Sequence, residues 1–176
     1  MDSVISPDYV LTMQSACDVF HCALNANTDK IYFGPFKIRD MDTNTVLFEI
    51  EREYEQMQEE QRFIRYTFPP EILNLRTIGT TLFFSVGENP VSNLRLIERH
   101  YFRNTLLRSY DFLIPFCMPN TINTWEAIYS LPVLSAAQKQ EIVAHPYEVK
   151  SDSFIFVDSR LIIHTRAEYN YSGVDI

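Results

Sequence analysis

Short segments in which apolar and polar residues alternate recur along most of the chain and constrain its fold more than any other feature. The stretch FKIRDMDTNTVLFEI (36–50) has two alternating halves around an Asp/Thr/Asn turn, which is typical of a β-hairpin. RFIRYTF (62–68) and IGTTLFFSV (78–86) show the same period of two, and FIFVDSRLII (154–163) predicts a second hairpin that turns at Asp158. Roughly seven to nine such strands with few helices predict an all-β sandwich or barrel.

Two short helices are predicted beside these strands. In SPDYVLTMQSACDVF (6–20), a Ser-Pro start precedes apolar residues at helical spacing, and in LSAAQKQEIV the residues Ser135 and Gln138 have the spacing of a capping box. The chain has only four glycines, so Asn, Asp and Pro are expected to form most turns. We expect a partly helical N-terminal segment (1–30) followed by one β-sandwich domain (31–176).

Charge and cysteine content narrow the classes of function. The net charge is −8 and the pI about 4.9, which disfavours non-specific binding to nucleic acid or to anionic membranes. Three cysteines do not make a disulfide framework and suit a reducing compartment. The N-terminus lacks a signal-peptide pattern and no apolar run reaches bilayer length. These features predict a soluble cytoplasmic domain without stable membrane insertion, and the Glu/Gln-rich stretch 51–61 is expected to be mobile and solvated.

LRLIERHYFR (94–103) places two ionisable residues where a strand should face the core. Strict alternation puts Glu98 and His100 on one face with leucines, and puts three arginines on the other face, which is therefore expected to face solvent. The pair can be an acid/base centre, a buried pair satisfied by its neighbours, or an anchor for a ligand in an apolar pocket. The residue pattern alone favours the buried pair and ranks catalysis last, because no nucleophile, metal ligand or second carboxylate accompanies it.

Other patterns with catalytic or metal-binding chemistry are weaker still. The segment 40–51 resembles a calcium loop but has Thr45 where the sharp turn needs glycine. Cys17, His21 and Cys22 match no established zinc spacing, and Cys117 lies outside any strand-turn-helix elbow. We therefore expect no catalytic residue, no metal, no cofactor and no enzymatic activity.

Three blocks carry a family resemblance: FKIRDMD, IERHYFRN and HPYEVKSDSFIFVDSRLIIHTRAEYNYSG. They resemble the uncoordinated (Unc), retinal-gene-four branch of the phosphodiesterase-delta family of lipid-binding chaperones, also described as GDI-like solubilising factors. The similarity runs in order from SPDYVLTMQ to NYSG and covers nearly the whole chain. It implies an all-β, immunoglobulin-like β-sandwich enclosing a hydrophobic lipid pocket, with short peripheral helices.

The resemblance also implies a function and partners. Such a protein takes up the N-terminal myristoyl group of client proteins, among them G-protein α subunits and ciliary proteins, and keeps them soluble. A GTP-bound Arf-like small GTPase releases the cargo at cilia or sensory membranes. The family's pocket positions fall here on nine residues: Phe36, Tyr66, Ile72, Glu98, His100, Tyr110, Leu131, Ile155 and Tyr169.

Within that set, the resemblance implies that Tyr66, Glu98 and His100 lie near the amide end of the acyl chain. Ile72, Leu131 and Ile155 stand where close relatives carry aromatic residues, which implies a tail pocket of different width. The segment that contains Trp125 (NTINTW) resembles the prenyl-binding sister branch of the family and not the acyl-binding branch. Two alternatives therefore remain open: a prenyl-binding solubilising factor, and an immunoglobulin-like interaction module without a lipid pocket.

Overall fold

The computed structural model describes residues 5–175 and places nine β-strands and two short α-helices in that range. The strands are β1 (Tyr32–Asp40), β2 (Val46–Ile50), β3 (Phe63–Thr67), β4 (Thr77–Ser85), β5 (Val91–Phe102), β6 (Thr105–Cys117), β7 (Ile122–Ser130), β8 (Val149–Val157) and β9 (Arg160–Asn170). The helices are α1 (Pro7–Thr12) and α2 (Ala136–Ala144), and 3-10 turns lie at Leu24–Ala26, Glu59–Arg62 and Pro70–Asn74. Residues 1–4 of the predicted N-terminal segment and residue 176 of the predicted sandwich domain lie outside the described residues, and the division at residue 30 stays a prediction.

The strands form two sheets that pack face to face. The first has the order β2-β1-β4-β7 and the second the order β3-β9-β8-β5-β6. Neighbouring strands are antiparallel except β3 and β9, which run parallel. The all-β, immunoglobulin-like sandwich expected from the sequence is confirmed, as are the hairpins β1–β2 and β8–β9.

Turns are made without glycine at most positions that need a left-handed backbone. Asn44 and Asn120 have φ of 59° and 53°, and the β8–β9 turn has Asp158 and Ser159 at 46° and 66°. Asn and Asp tolerate this region better than other residues with a side chain, because their short polar groups hydrogen-bond locally. The expectation from the low glycine content is confirmed at these turns.

Both predicted helices form, but the first is shorter than its pattern indicates. The Ser6 hydroxyl accepts the Tyr9 N–H, and α1 ends at Thr12. In α2, the predicted capping box is present: the Ser135 hydroxyl accepts the Gln138 N–H at 3.2 Å. After Thr12 the chain has no regular secondary structure, so Cys17 contacts the sheet outside any helix.

Residues 5–27 of the N-terminal segment cover the outer face of the five-stranded sheet. Val10 and Cys17 pack there against Ile97, Phe154 and other residues of β5, β8 and β9. The predicted solvent face of β5 is therefore wrong at three positions: Ile97, Arg99 and Tyr101 are buried. A buried arginine is possible here because Arg99 donates hydrogen bonds to the Met13 carbonyl, the Tyr101 hydroxyl and the Ser109 hydroxyl.

Between the sheets, the two ends of the sandwich are filled by different clusters. One end is closed by a core around Ile31, Phe84 and Val91, and the other by Phe68, Ile142 and their neighbours beneath α2. The middle of the sandwich is not filled by side chains, and this is where the candidate site lies.

Candidate binding site

A cavity of about 250 Å³ separates the two sheets. Its walls are mostly apolar because the inward-facing residues of both sheets are aliphatic or aromatic. They include Phe33, Phe36, Ile38, Ile64, Leu82, Leu96, Phe112, Trp125, Ala127, Ile155 and Ile163. A mostly apolar cavity with a few polar groups is the usual form of a site for a small ligand or an apolar group. The cavity-free interaction module that the sequence left open is excluded.

Eight of the nine residues expected at the site line this cavity: Phe36, Tyr66, Ile72, Glu98, His100, Leu131, Ile155 and Tyr169. Tyr110 does not line it. Its ring lies 4.1 Å from the ring of Tyr129, between centroids, and its hydroxyl donates to the Ser130 carbonyl at 3.3 Å. Tyr110 thus bridges β6 of one sheet to β7 of the other. Whether any of the nine contacts a ligand stays a prediction.

Arg108 lines the cavity and was missed by the sequence reasoning. The β5–β6 hairpin starts with Phe102 paired to Thr105 and Tyr101 to Leu106, a register that would place His100 opposite Leu107. A bulge between His100 and Tyr101 shifts the register by one, so His100 faces Arg108 instead. A bulge inserts one residue into one strand and redirects its side chains. No residue in this hairpin signals the bulge, so the inward arginine could not be inferred.

Arg108, His100 and Glu98 form a hydrogen-bonded chain in the cavity wall. The Arg108 guanidinium donates through Nη2 to His100 Nδ1 at 3.2 Å. Because a guanidinium has no acceptor, Nδ1 must be unprotonated, and the ring carries its proton on Nε2. That Nε2–H donates to Glu98 Oε1. Among the described residues, the second oxygen of Glu98 accepts no hydrogen bond.

The charges of this chain follow from its surroundings. Burial alone raises the pKa of Glu98, but His100 and Arg108 outweigh burial and hold that pKa below its usual value. Burial and the Arg108 charge lower the pKa of His100, and Glu98 opposes them only in part. At neutral pH the site therefore presents an ionised carboxylate, a neutral imidazole and a guanidinium.

Tyrosine rings form the wall next to this chain. The parallel pairing of β3 and β9 sets Tyr66 opposite Tyr169, and their ring centroids lie 5.3 Å apart. Tyr169 also bonds Ser151 through its hydroxyl at 3.0 Å. Burial, with a contribution from Glu98, raises the pKa of Tyr66 to about 12, so its hydroxyl remains available as a hydrogen-bond donor.

The Glu/Gln-rich connection (51–61) forms part of the same wall. Arg52, Met57 and Gln61 line the cavity, and Met57 packs against the core cluster. The expectation of a solvated segment is therefore wrong for Arg52 and Met57, which are half-buried, whereas Gln61 and the glutamates of this segment are exposed. Met57 accounts for this packing, because burying its apolar side chain against the sandwich stabilises the folded connection.

A second histidine–carboxylate pair lies on the outer face of the sheet, beneath the N-terminal segment. His164 Nε2–H donates to Asp152 Oδ1 at 2.8 Å, and His164 Nδ1 accepts the backbone N–H of His21 at 3.1 Å. Asp152 Oδ2 accepts the backbone N–H of Cys17 at 2.9 Å. We name these two arrangements the inner pair (Glu98 and His100) and the outer pair (Asp152 and His164).

The outer pair and the Cys17 thiol place three potential metal-ligand atoms within 4.8 Å of one another. These atoms are not free to bind a metal, because both ring nitrogens of His164 and both oxygens of Asp152 already form hydrogen bonds within the protein. Burial and the Asp152 charge raise the pKa of Cys17 to about 12, so the thiol stays protonated. The zinc set of Cys17, His21 and Cys22 does not form either, since Cys17 packs beside Asp152 and His164 instead.

Among residues 5–175, no helix is long and apolar enough to cross a lipid bilayer.

Comparison with known proteins gives consistent matches along the chain. A family model described as the GMP-PDE delta subunit matches residues 25–171. Protein unc-119 homolog B of Danio rerio is 45% identical over 181 residues, covering 96% of this chain and 74% of the relative. Its Homo sapiens counterpart is also 45% identical, covering 96% and 72%. Protein unc-119 of Caenorhabditis elegans is 41% identical, covering 96% and 80%.

Proposed function

Because the chain belongs to the GMP-PDE delta-subunit family, whose members are lipid-binding trafficking factors and not enzymes, we propose that its cavity takes up the N-terminal myristoyl group of client proteins. The observation that carries the proposal is the apolar cavity between the sheets, with the Arg108–His100–Glu98 chain as a polar group in its wall. An acyl chain fits the apolar walls, and the amide that joins it to the client can hydrogen-bond to the inner pair.

The energetics favour such a cavity over a membrane for a single acyl chain. Burying a 14-carbon chain at about 0.8 kcal/mol per methylene yields roughly 10 kcal/mol before the costs of binding. One myristoyl group holds a protein to a membrane with a constant of only about 10⁴ M⁻¹. A protein cavity that adds hydrogen bonds at the amide competes with the bilayer and keeps the client in solution.

Release of a buried chain requires a device that favours an open form of the sandwich. We propose that a GTP-bound Arf-like small GTPase supplies it by binding the open form more tightly than the closed one. The clients we propose are G-protein α subunits and ciliary proteins, delivered to cilia or sensory membranes. The support for these partners is the family resemblance of the sequence blocks.

The test compares a myristoylated N-terminal peptide of a G-protein α subunit with the same peptide lacking the acyl group. The acylated peptide should bind at least 100-fold more tightly in a fluorescence-anisotropy titration, since the apolar contribution to binding is of this order or larger. Leu96→Trp, which fills the cavity, should abolish the difference. Leu113→Trp, at a side chain that is 55% exposed, is the matched control. Equal binding of the two peptides to the unchanged protein would contradict the proposal.

A prenyl group is the second candidate ligand, and Trp125 is the observation that favours it. Trp125 lines the cavity and packs on Phe84 and Phe112, with ring centroids 6.2 and 6.4 Å away. A branched prenyl chain can pack against its flat face. Competition between myristoylated and farnesylated peptides of the same sequence separates the two candidates, and displacement of the first by an equimolar amount of the second would favour the prenyl ligand.

A further inference from the structure

A second, smaller cavity of about 30 Å³ lies directly behind the wall of the main one. It lies between the N-terminal segment, which contributes Ala23 and Leu24, and the connection 51–61. Five residues line both cavities and so form the partition between them: Phe33, Arg52, Met57, Gln61 and Ile163.

The members of this partition differ in how firmly they are held. Phe33 lies in β1 and Ile163 in β9, so both are fixed by strand pairing. Gln61 accepts the Gln58 N–H at 2.7 Å and closes the 3-10 turn. Met57 has no regular secondary structure around it, is half-buried, and packs on the core only through its side chain. An unbranched thioether chain changes rotamer easily, which makes Met57 the adjustable part of the partition.

Met57 also lies away from the polar part of the site. It packs with Ile31, Phe33, Ile163 and the rest of the core that closes one end of the sandwich. The inner pair packs with the tyrosines near the opposite end, where His100 lies 5.4 Å from Tyr169 between ring centroids. An acyl chain whose amide meets the inner pair therefore directs its terminal methyl group toward the core end and Met57.

We propose that Met57 is the residue that sets acyl-chain length and that the second cavity accepts the terminal carbons of a chain longer than 14 carbons. The proposal rests on the proposed function, because it assumes that an acyl chain occupies the main cavity. A void needs about 10–15 Å³ of free space to hold one group the size of a water molecule. The 30 Å³ of the second cavity therefore holds about two methylenes. The ligand class is therefore an amide-linked 16-carbon acyl chain in addition to the 14-carbon one.

Two polar residues that line the second cavity, Arg62 and His164, already have hydrogen-bond partners within the protein. The guanidinium of Arg62 is bound to the Cys22 carbonyl, the His164 carbonyl and the Glu59 carboxylate. His164 is bound on both ring nitrogens. An apolar chain end that enters beside Leu24 and Ile31 therefore breaks none of these hydrogen bonds.

The experiment measures the affinity of one peptide sequence carrying 12-, 14-, 16- or 18-carbon N-acyl chains. Each buried methylene is worth roughly a fourfold gain, so the 16-carbon peptide should bind up to about 15-fold more tightly than the 14-carbon one, and the 18-carbon peptide should gain nothing more. Met57→Phe should reduce or reverse the gain from 14 to 16 carbons, and Met57→Ala should extend it to 18 carbons. Met118→Ala, at a side chain that is 62% exposed, is the control and should leave the series unchanged.

The ratio of two chain lengths is measured on the same variant, so partial unfolding of a variant cancels, and Met57→Leu supplies a substitution of similar volume. No gain in affinity from 14 to 16 carbons in the unchanged protein, or affinity ratios that no Met57 substitution alters, would overturn the inference. Failure of every acylated peptide to bind would instead refute the proposed function.

Discussion

The inner and outer pairs each join a histidine to a carboxylate, and they lie on opposite faces of one sheet. They differ in the groups that surround the carboxylate. In each, a histidine accepts an N–H at Nδ1 and donates Nε2–H to the carboxylate. Asp152 is 1% exposed and its second oxygen accepts a backbone N–H of the same chain, whereas Glu98 is 25% exposed and faces the cavity. The same chemistry therefore fastens the N-terminal segment on one face and remains open to a ligand on the other.

The largest loss of stability should come from alanine substitution on β5, where two neighbouring residues point to opposite faces of the sheet. Ile97 is completely buried under the N-terminal segment, while Leu96 is half-buried and lines the cavity. Ile97→Ala should lower the free energy of unfolding by about 2–5 kcal/mol, because it leaves a void in a packed cluster. Leu96→Ala should cost about 1–2 kcal/mol, because part of its surface already borders a cavity. Urea unfolding measures both, and equal losses would show that the two faces are packed alike.

Substitutions in the two pairs should affect different properties, namely stability for the outer pair and ligand binding for the inner pair. Asp152→Ala leaves the Cys17 N–H and the His164 Nε2–H without their acceptor, and should lower the free energy of unfolding by about 2–4 kcal/mol. Glu98→Ala should cost less than about 1 kcal/mol, because water in the cavity can accept the hydrogen bond that His100 Nε2–H donates. It should nevertheless weaken binding of a myristoylated peptide by about tenfold or more. Loss of the fold in Glu98→Ala would make the inner pair a core element like the outer one.

Substitutions of two arginines on the outer face of β5 should differ in their effect on stability. Arg99 holds the N-terminal segment through the Met13 carbonyl, so Arg99→Met should cost about 1–3 kcal/mol and speed hydrogen exchange in residues 13–17. Arg95 pairs with Asp111 at 2.6 Å near the surface, and Arg95→Met should cost less than about 1 kcal/mol. If the two substitutions are equivalent, the N-terminal segment does not depend on Arg99.

The smallest effect should be a gradual loss of stability as the pH falls below about 6.5. Burial and the charge of Arg108 or Arg62 lower the pKa of His100 and His164 in the folded protein, while the unfolded chain takes up protons near 6.5. The unfolded state therefore binds more protons between the folded and unfolded values, so stability falls as the pH is lowered through that window. Unfolding measured from pH 7.5 to 5 should show a shallower dependence in His164→Gln than in the control His145→Gln.

Much of the sandwich could be predicted because its strands alternate cleanly. The hairpins at 36–50 and 154–163, the capping box at Ser135 and the inward direction of Glu98 and His100 all follow from local pattern. Strand β7 was not predicted, because Ile122 and Ile128 on its outer face resemble the apolar residues on its inner face, which weakens the alternation.

The remaining differences depend on contacts between distant parts of the chain. Three arginines at alternate positions indicate a solvent face only if no other segment covers it, and residues 5–27 cover Arg99 here. The place of Arg108 depends on a bulge, and that of Met57 on a connection whose composition indicates solvent. In each case tertiary packing overrides a pattern that is correct for an isolated strand or loop.

The parallel pairing of β3 with β9 also fixes when the cavity can be completed during folding. Phe63 pairs with Arg166 and Tyr66 with Tyr169, so β3 has no place in its sheet until a strand about 100 residues further along the chain has been made. On the ribosome, at roughly 5–20 residues per second, that delay is on the order of 5–20 seconds. During this interval β3 has no strand to pair with, and the chain must remain soluble with its apolar interior open. The acidic segment 51–61, which precedes β3, keeps a strong negative charge next to that interior until the last strand closes it.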